Sequence, residues 1–318
     1  MEPGSAPQPT RNLLILHTPH FQDRTDWEAV KAKIEARAPD IEVRIDDNLQ
    51  PSPETSDWQT TRPSLVFSPF ALVGYRPRGG AVFAGKHMGK GAEWLHLQQS
   101  GLPVPPTLRL VPGLALDRDV WGDYVIVKPG LGTLGEGVRL LRTEDLGRRF
   151  AELTEDGRLR IFVQRFIDHV DDDGHPCAWR VLTMFGEPLT QVEHRWTTPR
   201  RPLAEIAADP AGRIASNAVD VKRKSRLVKV PEVLALARRA AAAFPQIPCL
   251  GQDIIRQTGT GTLWVLETNP GGYTWHLSSP HSRAAGFDPD YVSARYAQFD
   301  ALEVAAETLI AKTRTAAV

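Results

Sequence analysis

Two β-prone runs joined by a short turn segment are the feature that most restricts the fold of this chain. The first runs from Gly251 to Arg256 and the second from Leu263 to Gly272, with threonine and glycine between them. This pattern is typical of a β-hairpin. A three-residue loop at 259–261 would set the register so that Asp253 lies directly opposite Glu267.

The hairpin predicts a site built from oxygen ligands. Opposed Cβ atoms in a sheet lie about 5 Å apart, so Asp253 and Glu267 repel each other unless a positive charge lies between them. Asn269 follows Glu267 by two residues and therefore points to the same face. This set suits Mg²⁺, which takes one or two carboxylates and completes its shell with substrate phosphates. A solvent-facing polar side of an edge hairpin is the alternative interpretation.

Composition limits the class of protein. The 318 residues, 42% of them hydrophobic, suffice for a substantial core and roughly two domains. Basic and acidic residues total 38 each, so we expect neither nucleic acid nor a membrane as partner. The two cysteines, Cys177 and Cys249, lack CxxC spacing and indicate a reducing, cytoplasmic setting without a disulfide or zinc framework. We expect no secretory signal and no membrane-spanning segment.

The first part of the chain predicts a small α/β domain after a disordered tail at residues 1–10. Short apolar runs alternate with a helical pattern, which is the start of a βαβ unit. A polar stretch with three prolines, at 47–63, is predicted to be a loop. The predicted elements are a strand at 12–17, a helix at 26–38 and strands at 41–45, 65–67 and 81–83.

Strand patterns dominate the middle of the chain, after a helix predicted from about Lys86 to Ser100. A basic, irregular stretch at 196–229 is predicted to be a mobile loop over the active site. Further predicted elements are strands at 123–129, 137–141 and 160–167, a hairpin at 179–185 and 186–192, and helical regions from Pro231 to Phe244 and from Asp288 to about Lys312.

A glycine-rich segment lies between two of these strands. It contains Gly130, Gly132, Gly135 and Gly137 and directly follows Lys128. Glycines let backbone N–H groups approach phosphate oxygens closely, and a lysine on the preceding strand adds positive charge. The segment returns to a strand rather than entering a helix, so it is neither a Walker loop nor a dinucleotide fingerprint. A flexible hairpin tip explains the same glycines.

Two further segments indicate a function only when their position in the order of motifs along the chain is considered. Lys90 lies in the predicted helix, where a solvated surface lysine is the ordinary interpretation. The run from Gln164 to Ile167 ends a strand and offers backbone groups that could contact an adenine edge, although an edge strand leaving for solvent explains it equally well.

The succession of these motifs resembles the ATP-grasp superfamily, over about Lys86 to Gly272. The motifs are a helical lysine, Val-Lys-Pro with a glycine-rich hairpin, Val-Gln-Arg-Phe-Ile, Trp-Arg-Val, Gly-Gln-Asp-Ile and Leu-Glu-Thr-Asn-Pro. The resemblance, to the ATP-binding domain of glutathione synthetase and ribosomal-protein glutamate ligase, implies an α/β fold. It implies a small α/β domain at 11–85 and a two-lobed, α+β ATP-grasp domain at 86–318. The glycine-rich hairpin lies in the lobe at about 105–165, and the metal site lies in the lobe at about 166–318.

The resemblance also implies site residues. It assigns ATP contacts to Lys90, Lys128, Gly132, Thr133, Gly135, Gly137, Gln164, Arg165, Phe166 and Ile167. It assigns two Mg²⁺ ions, with Mn²⁺ as a substitute, to Asp253, Glu267 and Asn269, and catalytic roles to Arg180, Lys128 and Arg195. Arg180 would face the transferred phosphate or the acceptor carboxylate.

Several residues depart from the family pattern. Arg165 replaces a common acidic residue, and Ala178 occupies the place of the acid in an Asp-x-Arg pattern. Asp171 or Asp173 is the candidate replacement for anchoring the ribose. Arg195 and Asn217 fit the Arg…Asn pattern of the active-site loop, but the Gly-Gly that often follows it is replaced by Val221-Lys222-Arg223-Lys224.

The resemblance implies a ligase that activates a carboxylate as an acyl phosphate and joins it to an amine. Its partners would be small-molecule or peptide substrates, with a homodimer as a possible assembly. An ATP-grasp kinase and a catalytically idle nucleotide-binding module are the alternatives, together with nucleic-acid binding through the basic clusters. Trp275 and His276 either line the acceptor pocket or belong to a turn with a buried tryptophan.

Overall fold

The computed structural model describes residues 8–130, 137–154, 160–209, 211–214, 222–270, 275, 279–280 and 288–318. These residues form three β-sheets with helices packed against them. The predicted mixed α/β class is therefore confirmed. Among the described residues, no helix has both the length and the apolar character needed to cross a membrane.

The first sheet is parallel, with strand order β2-β1-β3-β4. Nearly every residue of its central strands is buried, as expected for parallel strands covered on both faces. Helix α1 (Arg24–Arg37) links the first two strands, and Asp23 caps it by accepting from the Thr25 N–H. The strands are β1 (Arg11–His17), β2 (Ile41–Asp47), β3 (Ser64–Ser68) and β4 (Ala81–Ala84).

The stretch at 47–63 contains a helix, α2 (Pro53–Gln59), so the prediction of a loop throughout is wrong. Pro53 occupies the first helical turn, where its missing N–H costs nothing. Trp58 is 7% exposed and packs with Leu14 and Leu16 of β1. The proline therefore begins a helix that returns the chain to β3.

The second sheet is antiparallel, with strand order β5-β8-β6-β7. Its core contains Val125, Val127, Leu141 and Val163. The two strands predicted on either side of the glycine-rich segment do pair as a hairpin, but residues 131–136 lie outside the described residues. The elements are β5 (Thr107–Arg109), α4 (Arg118–Trp121), β6 (Tyr124–Pro129), β7 (Arg139–Arg142), α5 (Phe150–Thr154) and β8 (Ile161–Arg165).

The third sheet is antiparallel, with strand order β11-β10-β9-β12-β13. Both predicted hairpins are present in it. Phe185 and Gly186, both with positive φ, form the tight turn between β9 and β10. The strands are β9 (Cys177–Met184), β10 (Glu187–Trp196), β11 (Arg223–Leu227), β12 (Cys249–Arg256) and β13 (Leu263–Asn269).

The basic stretch at 196–229 is more regular than predicted. It contains α6 (Leu203–Ala208) and the edge strand β11, while residues 210 and 215–221 lie outside the described residues. β11 carries mostly charged, exposed side chains, as edge strands commonly do. Such a strand shows no apolar alternation and so cannot be recognised from the sequence.

Helices cover both faces of the third sheet. On one face, α7 (Pro231–Ala242) packs with Val181 and Ile254. On the other, α9 (Ala301–Ala316) shares a core with Met184 and with strands of the first sheet. The predicted C-terminal helical region is two helices, α8 (Pro289–Ala297) and α9, separated at Asp300, whose φ is 54°. The domain boundaries stay a prediction.

Helix α3 (Lys90–Gln99) begins later than predicted. The Lys86 backbone N–H donates to the Pro270 carbonyl at 2.8 Å, which holds the segment before the helix next to the end of β13. Lys90 is consequently the first residue of α3, with Gly89 at the N-cap position.

Candidate active site

Three charged side chains form a row across three neighbouring strands. Asp253 pairs in register with Glu267 on one side and with Arg180 on the other. Directly paired residues of antiparallel strands point to the same face. Arg180 Nη1 lies 3.3 Å from Asp253 Oδ1, so a cation adjoins the two opposed carboxylates. The predicted pairing of Asp253 with Glu267 is confirmed.

The turn between β12 and β13 is longer than the three-residue loop that the sequence predicted. Gln257 N–H donates to the Thr262 carbonyl at 2.8 Å, so the turn spans 258–261 rather than 259–261. Farther along, Ile254 pairs with Val265, which leaves Leu266 as the extra residue of a β-bulge. The bulge compensates for the longer turn and returns Asp253 to its place opposite Glu267.

Asn269 completes the oxygen-bearing set. It pairs with Gly251, which has no side chain, and its Nδ2 lies 3.5 Å from Asp253 Oδ2. The structure therefore brings the three predicted metal ligands, Asp253, Glu267 and Asn269, to one face of the sheet.

Helix α3 covers the edge of β13 and presents a lysine to the site. Lys90 Nζ lies 2.9 Å from Glu267 Oε2. The Trp94 indole N–H donates to the carbonyl of the bulged residue Leu266 at 3.2 Å. Both the N–H and the hydroxyl of Thr268 donate to Glu93, at 2.5 and 2.9 Å. These contacts satisfy polar groups of an edge strand that would otherwise be open.

Lys128 reaches the same region from the second sheet. Its ammonium donates to Gln164 Oε1 at 2.6 Å and lies 5.3 Å from the centre of the Trp94 ring. The Gln164 amide donates in turn to the Thr107 hydroxyl at 3.0 Å. Gln164 is 2% exposed, so in this structure its side chain holds Lys128.

Burial shifts the protonation equilibria of the site. It lowers the pKa of Lys128 to about 8, against the opposing charge of Glu267. It raises the pKa of Glu93 to about 7, despite the two hydrogen bonds from Thr268. It also raises the pKa of Asp253, while Arg180 favours the ionised form. Such shifts are common where charged ligands bind.

The donor set fits Mg²⁺. Among the described residues, no group of three or more histidine, cysteine, aspartate or glutamate side chains could hold a metal ion. The set at the hairpin instead has two carboxylates and one amide, and Mg²⁺ needs only one or two protein carboxylates when phosphates supply the rest. Lys90 and Arg180 supply positive charge beside Glu267 and Asp253, at the position where a divalent ion would fit.

Neither a family model nor a curated protein matches the sequence. Solved structures do match the fold. The ATP-grasp ligase PsnB, complexed with a minimal precursor, is 17% identical with a TM-score of 0.53, over 96% of this chain and 100% of that one. The chain has the ATP-grasp fold.

Two other solved structures resemble the chain more loosely. D-cycloserine synthetase DcsG is 16% identical with a TM-score of 0.49, over 93% of this chain and 99% of its own. D-alanine–D-alanine ligase from Bacillus anthracis is 14% identical with a TM-score of 0.47, over 96% of this chain and 97% of its own.

One residue assigned to the ATP-grasp site, Arg195, is not brought to it. Its guanidinium pairs with Asp171 at 2.5 Å and with Asp173 at 3.1 Å. Side chains alternate along β10, and Val192 is the residue paired with Arg180. His194 therefore lies on the site face and Arg195 on the opposite face, and the catalytic role of Arg195 stays a prediction.

The residues predicted to contact adenine, 164–167, lie at the end of β8 and directly after it. The Arg165 N–H donates to the Pro106 carbonyl at 2.9 Å, and the Phe166 ring lies 5.6 Å from the Arg200 guanidinium. Ile167 is 4% exposed, and its carbonyl bonds a ring nitrogen of His169 at 3.0 Å. Of the predicted glycine-loop residues, Gly137 has a φ of 73°, while Gly132, Thr133 and Gly135 lie outside the described residues.

Trp275 packs in the core rather than facing an open pocket. It is 3% exposed, stacks on Trp27 with ring centres 4.6 Å apart, and its indole N–H donates to Asp26. The interpretation as a buried tryptophan fits this position. His276 lies outside the described residues.

Proposed function

We propose that the protein is an ATP- and Mg²⁺-dependent ligase that activates a carboxylate as an acyl phosphate and joins it to an amine. The observation that carries the proposal is the row formed by Glu267, Asp253 and Arg180, with Lys90 and Lys128 converging on it. Phosphoryl transfer asks a protein chiefly for positioning and charge neutralisation. The row supplies both without a protein nucleophile.

Each group has a distinct role in this proposal. Lys90 and Lys128 bind the phosphates of ATP, while Asp253, Glu267 and Asn269 hold one or two Mg²⁺ ions, for which Mn²⁺ can substitute. The metal, when bound, neutralises phosphate charge and orients the phosphates for in-line transfer. We assign the strand end at 164–167 and the glycine-rich segment to the nucleotide as well.

The reaction proceeds in two balanced steps. A carboxylate oxygen of the substrate attacks the γ-phosphorus, and the bond to the bridging oxygen breaks to release ADP. The amine then attacks the acyl carbon, phosphate leaves with the electron pair of the C–O bond, and a proton passes from the amine to solvent. Arg180 orients the substrate carboxylate and offsets the negative charge at the transferred group.

The cysteines have no part in this chemistry. Burial raises the pKa of Cys177 to about 11, and burial in the core also raises the pKa of Cys249. Thiols of this kind stay protonated near neutral pH and are poor nucleophiles. The acyl group is therefore carried by phosphate and never by the protein.

Hydroxylamine trapping tests the proposal. With ATP, Mg²⁺ and a panel of carboxylates, the protein should form hydroxamates in amounts equal to the ADP released. Glu267→Gln should lose this activity by orders of magnitude. Glu187→Gln, which changes an exposed glutamate far along the sheet, should retain it.

A stable phosphorylated product without hydroxamate would show the kinase alternative instead. ATP binding without any turnover on the panel would favour the idle nucleotide-binding module.

A further inference from the structure

A short segment that follows β8 connects three parts of the proposed site. It consists of Asp168, His169 and Val170, which we call the junction. The strand end at 164–167, which we assign to the nucleotide, leads directly into the junction. His169 bonds back to this strand end, because one of its ring nitrogens lies 3.0 Å from the Ile167 carbonyl oxygen. The junction therefore helps to fix where the strand end lies.

The turn between β12 and β13 docks on the junction. The Thr258 N–H donates to the Asp168 carbonyl at 2.9 Å. The Thr258 hydroxyl accepts from the Val170 N–H at 2.9 Å and donates to the Val170 carbonyl at 2.8 Å. The two strands joined by this turn carry Asp253 and Glu267. The three hydrogen bonds thus tie the hairpin of the proposed metal ligands to the junction.

Arg200, which follows the end of β10, holds the junction from a third direction. Its guanidinium binds the Asp168 carboxylate through two hydrogen bonds, Nη1–Oδ1 at 2.6 Å and Nη2–Oδ2 at 2.8 Å. The same guanidinium lies 5.6 Å from the centre of the Phe166 ring in the strand end. The exposed fractions of the Arg200 and Asp168 side chains are 16% and 35%, so solvent screens this pair only in part.

The contact between Arg200 and Asp168 is an ion pair of defined geometry. Burial opposes ionisation of Asp168, but the hydrogen bonds and the charge of Arg200 outweigh burial and lower the pKa of the carboxyl group. Arginine suits this position because its planar fork binds a carboxylate in one orientation. The ammonium of a lysine would act only as a point charge. The pair therefore restricts the position of the junction as well as attracting it.

The segment that carries Arg200 continues onto the second sheet. Helix α6 of this segment packs through Ile206 against Ile126 and Leu140. Ile126 precedes Lys128 by two residues on β6 and so points to the same face of the sheet. The chain that holds the junction is therefore anchored on the face that presents Lys128.

A nucleotide extends from its base to the phosphate that is transferred, so the base end and the metal end of the site must keep a fixed relation. A misplacement of about 1 Å can cost roughly 100-fold in rate. We propose that Arg200 is a positioning residue for the nucleotide, which acts through Asp168 to hold the strand end at 164–167 in place relative to the metal ligands. This inference rests on the proposed function. Arg200 then affects the base end, whereas Lys90 and Lys128 bind the phosphates.

Two ligands separate the base end from the phosphate end in calorimetric titrations with Mg²⁺. AMPPNP, a non-hydrolysable analogue of ATP, contains base, ribose and phosphates, whereas inorganic tripolyphosphate contains only phosphates. Arg200→Gln should raise the Kd for AMPPNP by about tenfold or more and leave the Kd for tripolyphosphate unchanged. Lys90→Ala should weaken binding of both ligands. Damage to the fold would also weaken both, so a loss confined to AMPPNP is specific for the base end.

Further variants test whether Arg200 acts through Asp168. Arg200→Lys keeps the charge but not the planar fork and should recover part of the loss. Asp168→Asn should reproduce the loss, and the double variant Arg200→Gln/Asp168→Asn should be no worse than either single variant, because both substitutions remove the same pair. Arg201→Gln is the matched control, because Arg201 is the next residue and its exposed ion pair with Asp209 is 3.4 Å long.

Thr258→Val provides a second test if Arg200→Gln does not fold. It removes the hydroxyl that holds Val170 and should also weaken binding of AMPPNP but not of tripolyphosphate. Equal losses for the two ligands, or an unchanged Kd for AMPPNP, would overturn the positioning role and leave the proposed ligase intact. The titrations need no turnover, so a loss confined to AMPPNP supports the inference even if no carboxylate yields hydroxamate.

Discussion

Lys90 Nζ lies 2.9 Å from Glu267 Oε2, which joins the first turn of α3 to the central residue of the proposed metal site. The pair links a proposed phosphate ligand with a proposed metal ligand. Under the proposed function, neither side chain can keep the other as its partner once Mg²⁺ and ATP bind. The metal would then bind the Glu267 carboxylate, and the phosphates would bind the Lys90 ammonium. In the proposed function, binding of Mg²⁺ and ATP is therefore an exchange of ion pairs.

Lys90→Ala tests this exchange. Loss of the ammonium should raise the KM for ATP by about tenfold or more, the usual effect of removing one charged hydrogen bond. It should also strengthen binding of Mg²⁺ to the nucleotide-free protein, because Glu267 no longer has a competing cation. Calorimetric titration of Mg²⁺ measures the second effect, with Lys33→Ala on α1 as a control. Unchanged Mg²⁺ affinity would refute the exchange.

Deprotonation of Lys128 should reduce the use of ATP at alkaline pH. Its pKa of about 8 lies below the ordinary value of 10.5, so it loses its positive charge as pH rises through about 8. The value of kcat/KM for ATP should therefore decline above that pH. Lys128→Arg keeps a charged group at all these pH values and should abolish the decline. A decline that persists in the variant would assign it to another group.

Glu93 should make the folded protein lose stability as pH rises from about 4.5 to about 7. Its pKa of about 7 lies above the ordinary 4.5, so the folded protein retains a proton that the unfolded chain has lost. The resulting stabilisation is complete below about pH 4.5 and is lost as pH rises to about 7. Glu93→Gln keeps an acceptor oxygen for Thr268 but carries no charge.

Urea unfolding at pH 5 and pH 8 measures this effect. The loss of unfolding free energy between the two pH values should be smaller in Glu93→Gln than in the wild-type protein. Glu35→Gln, which changes an exposed glutamate of α1, should follow the wild-type protein. Identical pH dependence in all three proteins would show that Glu93 is not the responsible group.

Periodicity in the sequence was sufficient to predict the pairing of Asp253 with Glu267 and the shared face of Asn269, because Ile254 next to Asp253 and Thr268 between Glu267 and Asn269 are buried. It could not reveal the bulge, since Leu266 suits an ordinary strand position as well. The orientation of Arg195, on the face opposite Asp253, shows a similar limit. Adjacent residues of a strand face opposite sides, so an error of one residue in register moves a side chain away from the site.

Other features depend on contacts between distant segments. Nothing near Arg295 indicates that α8 brings it within electrostatic range of Arg180, because their proximity depends on the packing of α8 against β10. The role of Gln164 in holding Lys128 likewise follows from the pairing of β8 with β6. Such relationships follow from tertiary packing and have no local pattern.

The bulge at Leu266 depends on α3, and this dependence can be tested. A bulged residue lacks a ladder partner, and the Leu266 carbonyl obtains one from the Trp94 indole N–H at 3.2 Å. Trp94→Phe keeps an aromatic ring against Phe162 and beside Lys128 but removes this donor. Leaving this part-buried carbonyl unsatisfied should cost up to about 1–3 kcal/mol of stability.

The consequence should extend to nucleotide binding, because the same helix turn carries Lys90 to Glu267. We expect Trp94→Phe to lower the unfolding free energy and to raise the KM for ATP. Trp264→Phe is the matched control: it removes a hydrogen bond to Gln257 in the same hairpin, 3.0 Å long, but touches neither lysine. It should leave the KM for ATP unchanged. Equal effects of the two variants on the KM would show that α3 positions Lys90 without help from the bulge.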